Sequence, residues 1–374
     1  MTQDTGAAPK SLKDPDFDKW YVASAYQDFV RSEGVPLYEG SFLDNLITLE
    51  LGDWERRGGK AAYTRLGDQE VNSLQIVEIP PGGQLKPEHH MYDAVMYVLS
   101  GRGASTLWQE GEQPHSVEWK EGSLLAIPLN AWHQEFNGSG AEPCRLMFGT
   151  NMPEMIRHFH NMDFIFNCPY VFRDRYDPSS AKFFSGEGKK WNLRMFESNF
   201  VPDIRNFELD PWPERAERTY IMRLSMAATS LGMHILDCDK GSYTTAHRHG
   251  AGAHVIQIEG EGYELLFKNG DEHNPEKRQK IPIKPGAVIA PKTGEFHQHF
   301  NLTDGRFRQL AVRGGPARYG TGESYDPRGS ARADSVADLS YKLSFTKEDP
   351  NVREEYYNAL ASRGINLRLP PIDQ

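Results

Sequence analysis

Three histidines, His247, His249 and His297, have the types and spacing to do chemistry together. The first two close the run Gly241-Ser-Tyr-Thr-Thr-Ala-His247-Arg-His249, and the third sits in Gly294-Glu-Phe-His297-Gln-His299-Phe-Asn301. Histidines one residue apart on a strand share a face, because side chains alternate with period 2. The third can join them only if the chain doubles back. The apolar runs and the glycines at Gly260, Gly262 and Gly286 predict hairpins that do this. Three neutral imidazoles converging inside an antiparallel barrel would hold a first-row metal and leave open positions.

The same punctuation occurs earlier. Gly82-Gly-Gln-Leu-Lys-Pro-Glu88-His89-His90 leads to Gly101-Arg-Gly103, then Gly122, then Pro128-Leu-Asn130-Ala-Trp-His133 and Asn137. Aligning His90 with His249 puts Glu88 on His247, Gly82 on Gly241 and Gly101 on Gly260. Further on, His133 falls on His297 and Asn137 on Asn301. So many matched positions point to two copies of one module. Glu88, His90 and His133 form a second candidate site, a two-histidine, one-carboxylate set of the kind many iron(II) oxygenases use. Strand parity turns His89 away from it. The alternative is a barrel that kept its shape and lost its metal.

Both copies resemble the two short motifs of the cupin family, small β-barrels of jelly-roll type. Two copies in one chain resemble a bicupin, with the resemblance spanning about 70–150 and 230–315. The implied fold is all-β: two cupin jelly-roll barrels in tandem with short peripheral helices. The first family motif supplies two histidines and a glutamate, and the second supplies one histidine. The glutamate position falls on Ala94 and Ala253, so both copies have lost it. A three-histidine set of this kind resembles the gentisate, salicylate and thiol dioxygenase branches. It argues against the manganese oxalate decarboxylase branch, which uses the glutamate.

Without that carboxylate, three neutral ligands leave the full charge on the metal. An anionic, chelating substrate can then bind it directly, with a neighbouring position for O₂. The resemblance thus implies an iron(II) dioxygenase acting on a small hydroxylated or carboxylated, aromatic substrate. Mn, Ni, Cu or Zn are alternative metals. The rival readings are a non-catalytic bicupin that binds a small ligand or a metal, and a metal-dependent isomerase or decarboxylase. His254 lies one residue from the inward-facing Ala253 and faces outward by parity; a register shift after Gly250-Ala-Gly252 would make it a fourth ligand. His299 shares parity with His297 and is a candidate for a second layer around the metal. Arg313, ending the last strand, is a candidate substrate contact, with a solvated surface arginine as the alternative. Trp108, Trp132, Tyr263 and Phe296 either wall a pocket or belong to the core.

The rest of the chain bounds this reading. It has 374 residues, 25% charged and 38% hydrophobic, ample for two cores. A net charge of −10 with no basic stripe argues against nucleic acid. No run of 18 apolar residues predicts a membrane span. The first residues lack a signal-peptide pattern, and Cys144, Cys168 and Cys238 read as reduced thiols; together these predict a cytoplasmic protein. The expected partners are a small substrate, O₂ and further copies of the chain.

The expected organisation is an N-terminal helical extension (1–45), a first barrel (46–150), an interdomain segment (151–218), a second barrel (219–318), and a loop with a C-terminal helix (319–374). Apolar residues from Phe17 to Val30 recur at helical spacing and predict a helix over 14–32. Pro153 to His160 reads as a short helix, Phe164 to Phe166 as strand-like, and 320–338 as a surface loop. Asp349-Pro350 opens a terminal helix that stops before Gly364.

Overall fold

In a computed structural model the described residues are 21–67, 70–191, 194–250, 252–314 and 342–371. The loop expected at 320–338, and the part of the first helix before residue 21, lie outside them.

Two β-barrels follow one another. In the first, a long sheet runs in the order Leu37–Gly40, Lys60–Leu66, Ser73–Ile79, Cys144–Thr150, Ala94–Ser100, Leu124–Ile127 and Phe200–Val201. A three-stranded sheet of Trp132–Asn137, Arg102–Trp108 and His115–Lys120 closes it. The second barrel repeats the plan. Thr219–Ser225, Leu231–Cys238, Phe307–Gly314 and His254–Glu259 form the centre of its long sheet, opposite Gly262–Phe267, Phe296–Asn301 and Ala246–His247. Each barrel takes a strand from the other's flank. Phe42–Leu43 pairs with Val288–Ile289, and Phe200–Val201 pairs with Leu124–Leu125.

The apolar patterning explains the shared centre. Ala94–Ser100 is a continuous buried run, as a strand covered on both faces must be. Its Met96 and Val98 fill the first lumen, while Val95, Tyr97 and Leu99 join a core formed with Met222, Met233, Ile235, Ile256 and Leu310 of the second barrel. The second lumen is lined by Ile221, Leu236, Val255, Leu266 and Ala311.

The two modules match residue for residue where it matters. An isolated antiparallel bridge joins Glu88 to His133, and the equivalent bridge joins His247 to His297. Gly101 (φ +86°) and Gly260 (φ +84°) hold the same left-handed turn. A Cβ would meet Cys144 Cβ at 2.7 Å in the first and the Arg306 carbonyl oxygen at 2.6 Å in the second.

Two local expectations change. The helix expected over 14–32 is Ala25–Glu33 within the described residues. Ser24, in extended backbone, caps it by accepting from Gln27 N, so the chain from Tyr21 to Ser24 precedes the first turn. The strand-like reading of Phe164 to Phe166 is replaced by helix Met162–Asn167. Asn161 caps it through Phe164 N, and Phe166 stacks on Phe29 of the first helix at 5.6 Å. Alternating aromatics suggested period 2, but capping and tertiary packing decide for the helix. The terminal helix Pro350–Ala361 follows the sequence reading, with Asp349 as its cap. It covers the outer face of the second barrel's sheet, where Val352, Tyr356 and Leu360 pack on Tyr243, Tyr263 and Phe300. All three cysteines are free and buried. Among the described residues no helix is long and apolar enough to cross a membrane.

Candidate metal centre

Two donor groups stand at the equivalent places in the two barrels. His247, His249 and His297 bring one ligand atom each to within 4.8 Å of one another, and so do Glu88, His90 and His133. Both triplets named from the sequence are thus assembled by the fold. They differ in access. Glu88, His90 and His133 are all buried, whereas His247 and His249 are only half-buried at the second barrel's mouth.

The first group is a saturated charge network. Arg57 donates to Glu88 Oε1 and, at 2.7 Å, to Glu135; Arg56 donates to Glu88 Oε2 at 2.5 Å and to Glu33 at 2.7 Å. Burial alone would push the Glu88 carboxyl up, but Arg57 and Arg56 outweigh it and hold it far below the usual range. His133 Nδ1 donates to Glu135 at 2.6 Å and His90 Nδ1 to the Tyr92 carbonyl at 2.8 Å. These bonds fix both tautomers and leave the two Nε2 atoms 3.3 Å apart. Burial, with His133 beside it, drives the His90 imidazole down to about 3.

The second group is built differently. His249 Nδ1 donates to the Gly250 carbonyl at 2.9 Å, which frees Nε2. The Nδ1 atom of His247 is buried without a hydrogen-bond partner. An unpartnered buried nitrogen in a cluster of three converging imidazoles fits a metal ion, which would offset its desolvation. Burial pulls His247 and His297 well below the ordinary histidine range, aided by Arg215 and by neighbouring imidazoles. His249 is lowered to about 4, by burial first and then by Arg313. All three are therefore neutral, as ligands must be.

The strand register places the opposite wall of this lumen. Arg223 lies beside His234, and His234 beside Ala311; Gly232 lies beside Arg313. Ala253, at 2% exposure, shares the parity of the lumen residue Val255. Small side chains at Gly232, Ala253 and Ala311 thus alternate with two arginines and a histidine. Burial, then Arg313 and Arg223, keeps His234 well below the usual range. Arg223 and His234 were not singled out in the sequence. Their signal was available: each interrupts an apolar row at a lumen-facing position. Arg56 and Arg57 lie in a turn before a strand, where no pattern marks them.

His299 lies near the cluster, its ring 5.5 Å from that of His297 and 5.8 Å from that of His247. Its Nδ1 bonds to the buried Glu264 at 2.6 Å, and Gln309 donates to the same carboxylate oxygen at 2.8 Å. His254 is not brought to the cluster. It alternates with Val255 and shares the face of Ile256, which joins the core between the barrels. It is fully buried, with the Gly252 backbone as a polar neighbour of its ring. His89 also faces away, bonding Asn130 at 2.9 Å and packing on Trp132. The four aromatics pair as packing: Trp108 with Trp132, Tyr263 with Phe300 and Phe296 with Phe267.

No curated protein matches the chain in sequence. Among solved structures it is similar to oxalate decarboxylase from Bacillus subtilis at pH 4.6, with 12% identity, a TM-score of 0.47, and coverage of 73% of this chain and 76% of that one. A Bacillus subtilis oxalate decarboxylase studied for its Mn(II) centres gives 11% identity, a TM-score of 0.49, and coverage of 80% and 85%. In sequence, residues 75–149 match the family described as "Cupin domain". With that match over the first barrel, and the same strand plan and bridge in the second, the chain is a tandem of two cupin jelly-roll barrels.

Proposed function

We propose that the second barrel is the active centre of a metal-dependent oxidoreductase, an iron(II) dioxygenase for a small anionic substrate. The carrying observation is a reachable set of three neutral imidazoles, His247, His249 and His297, in a lumen whose other wall is cationic. The first cluster is sealed, and its carboxylate is already engaged by Arg56 and Arg57. When bound, the metal supplies a Lewis acid and a template on which a chelating anion and O₂ meet.

The chain's own residues do the rest. His247, His249 and His297 hold the ion without adding negative charge. Arg223 and Arg313 attract a carboxylate to the far wall, and either guanidinium is a planar donor that suits it. Gly232, Ala253 and Ala311 leave space between metal and arginines for a ring or short chain. The Glu264–His299 pair fixes one imidazole at the edge of the lumen. These features favour a hydroxy-carboxylate, aromatic or not, that chelates at one end and ion-pairs at the other.

The test is oxygen consumption by the iron-loaded protein with catechol, gentisate, salicylate and aliphatic hydroxy-acids. Uptake with a carboxylated member supports the reading. Turnover without O₂ assigns an isomerase or decarboxylase instead, and binding without turnover assigns a ligand-binding module.

A further inference from the structure

The C-terminal segment reaches the back of this centre. Lys342–Leu343 pairs with Ala246–His247, with Lys342 opposite His247. The chain then turns through Phe345–Lys347 and enters the helix capped by Asp349. Between them, Glu348 is buried, at 8% exposure. Its carboxylate accepts two hydrogen bonds: Tyr243 Oη donates to Oε1 at 2.7 Å, and Gln298 Nε2 donates to Oε2 at 2.5 Å.

Gln298 comes from the strand that carries His297, and Tyr243 from the segment leading into His247, where it bridges Phe300. Tyr243 lies four residues before His247. Gln298 stands between His297 and His299 and points to the opposite face, away from the lumen. Gln298 Nε2 also donates to the Thr244 carbonyl at 2.9 Å, and Thr244 exchanges bonds with His299 at 3.0 and 3.1 Å. Tyr243 is held by stacking on Phe300 at 4.8 Å and by edge contacts with Phe345 and Tyr356, both from the C-terminal segment. Without Glu348, Gln298 keeps one acceptor, and the Tyr243 hydroxyl loses the carboxylate that accepts its proton in a buried place.

We infer that Glu348 is a positioning residue for the three-histidine centre, tying the His247 strand to the His297 strand from behind the sheet. The inference rests on the second-barrel metal reading above. A carboxylate that binds both ligand-bearing segments sets their separation, and ligand separation sets how tightly an ion is held. Through Glu348 the C-terminal segment is thereby part of the metal centre.

The experiment uses the full-length protein loaded with Co(II), whose visible absorption reports ligand geometry. Release into excess EDTA is timed for wild type, Glu348→Ala, Glu348→Gln and a packing control, Val352→Ala, which loosens the same helix but leaves Glu348 in place. We expect Glu348→Ala to release Co(II) about tenfold faster or more and to shift the absorption bands. Glu348→Gln, which still offers one acceptor oxygen, falls between it and wild type. Val352→Ala lowers the melting temperature and keeps wild-type bands and release. If Glu348→Ala matches wild type, or Val352→Ala releases as fast at equal loss of stability, the inference is overturned. His249→Ala, run alongside, separates the failures: undiminished Co(II) binding there removes the metal reading itself, whereas lost binding there with an inert Glu348 removes only this inference.

Discussion

Arg57 offers the sharpest energetic test of the first barrel. Its guanidinium is 2% exposed and bridges Glu88 and Glu135, themselves 8% and 0% exposed. Arg57→Met keeps most of the volume and removes the charge. Glu135 then keeps only His133 as a polar partner, and Glu88 keeps Arg56. Stripping one partner from a buried ion pair costs about 3–5 kcal/mol, and the surviving Arg56 contact points to the lower end. At roughly 2–4 °C per kcal/mol for barrels of this size, the melting temperature should fall by about 6–12 °C. Adding Glu135→Gln should recover part of the loss, because the amide removes the stranded charge. The pH dependence has a definite sign. Glu88 and Glu135 are both held below the usual carboxylate range in the folded protein. Their contribution is therefore full above the unfolded value of about 4.3 and is lost as the pH falls through the folded-state values. The gap between wild type and Arg57→Met should be widest near neutrality and narrow in acid. Thermal melts followed by circular dichroism at pH 7 and in steps down to about pH 2 measure it. A loss under about 1 kcal/mol at pH 7, or a gap that widens in acid, refutes the reading of this cluster as a charge-balanced knot.

Two further predictions concern the second barrel. Ala253→Glu places a carboxylate at the lumen face next to the three histidines; it should slow metal loss to a chelator and weaken substrate binding before it affects anything else. Wild-type activity together with wild-type metal retention would mean that residue 253 does not face the ion. His254→Leu puts an apolar side chain on the buried face it shares with Ile256, so the variant should keep its metal and change in stability by no more than about 1–2 kcal/mol. Loss of metal from that variant would make His254 a ligand.

The histidine spacing and the glycine punctuation carried most of the fold. His247 and His249 on one face, and the Glu88–His133 and His247–His297 bridges, follow from period-2 alternation in hairpins. The left-handed turns at Gly101 and Gly260 follow from glycine's freedom at positive φ. What escaped the sequence was long-range. Arg56 and Arg57 come from a turn more than 30 residues before Glu88, and Glu348 reaches Gln298 across 50 residues. No local pattern encodes such contacts. The exchange of Phe42–Leu43 and Phe200–Val201 between barrels escaped for the same reason, since a two-residue strand has no periodicity to read. His254 shows a subtler limit. Parity turned it away from the lumen, but only the second barrel's packing against the first makes that outward face a buried one.

The central claim is that the working metal sits in the second barrel. Metal content per chain, measured by plasma mass spectrometry on wild type, His249→Ala and His90→Ala purified in parallel, tests it most directly. The account predicts that His249→Ala loses most of the bound metal and all oxygen-dependent turnover, while His90→Ala loses much less of either. Full loss of metal in His90→Ala, with His249→Ala unchanged, would contradict it.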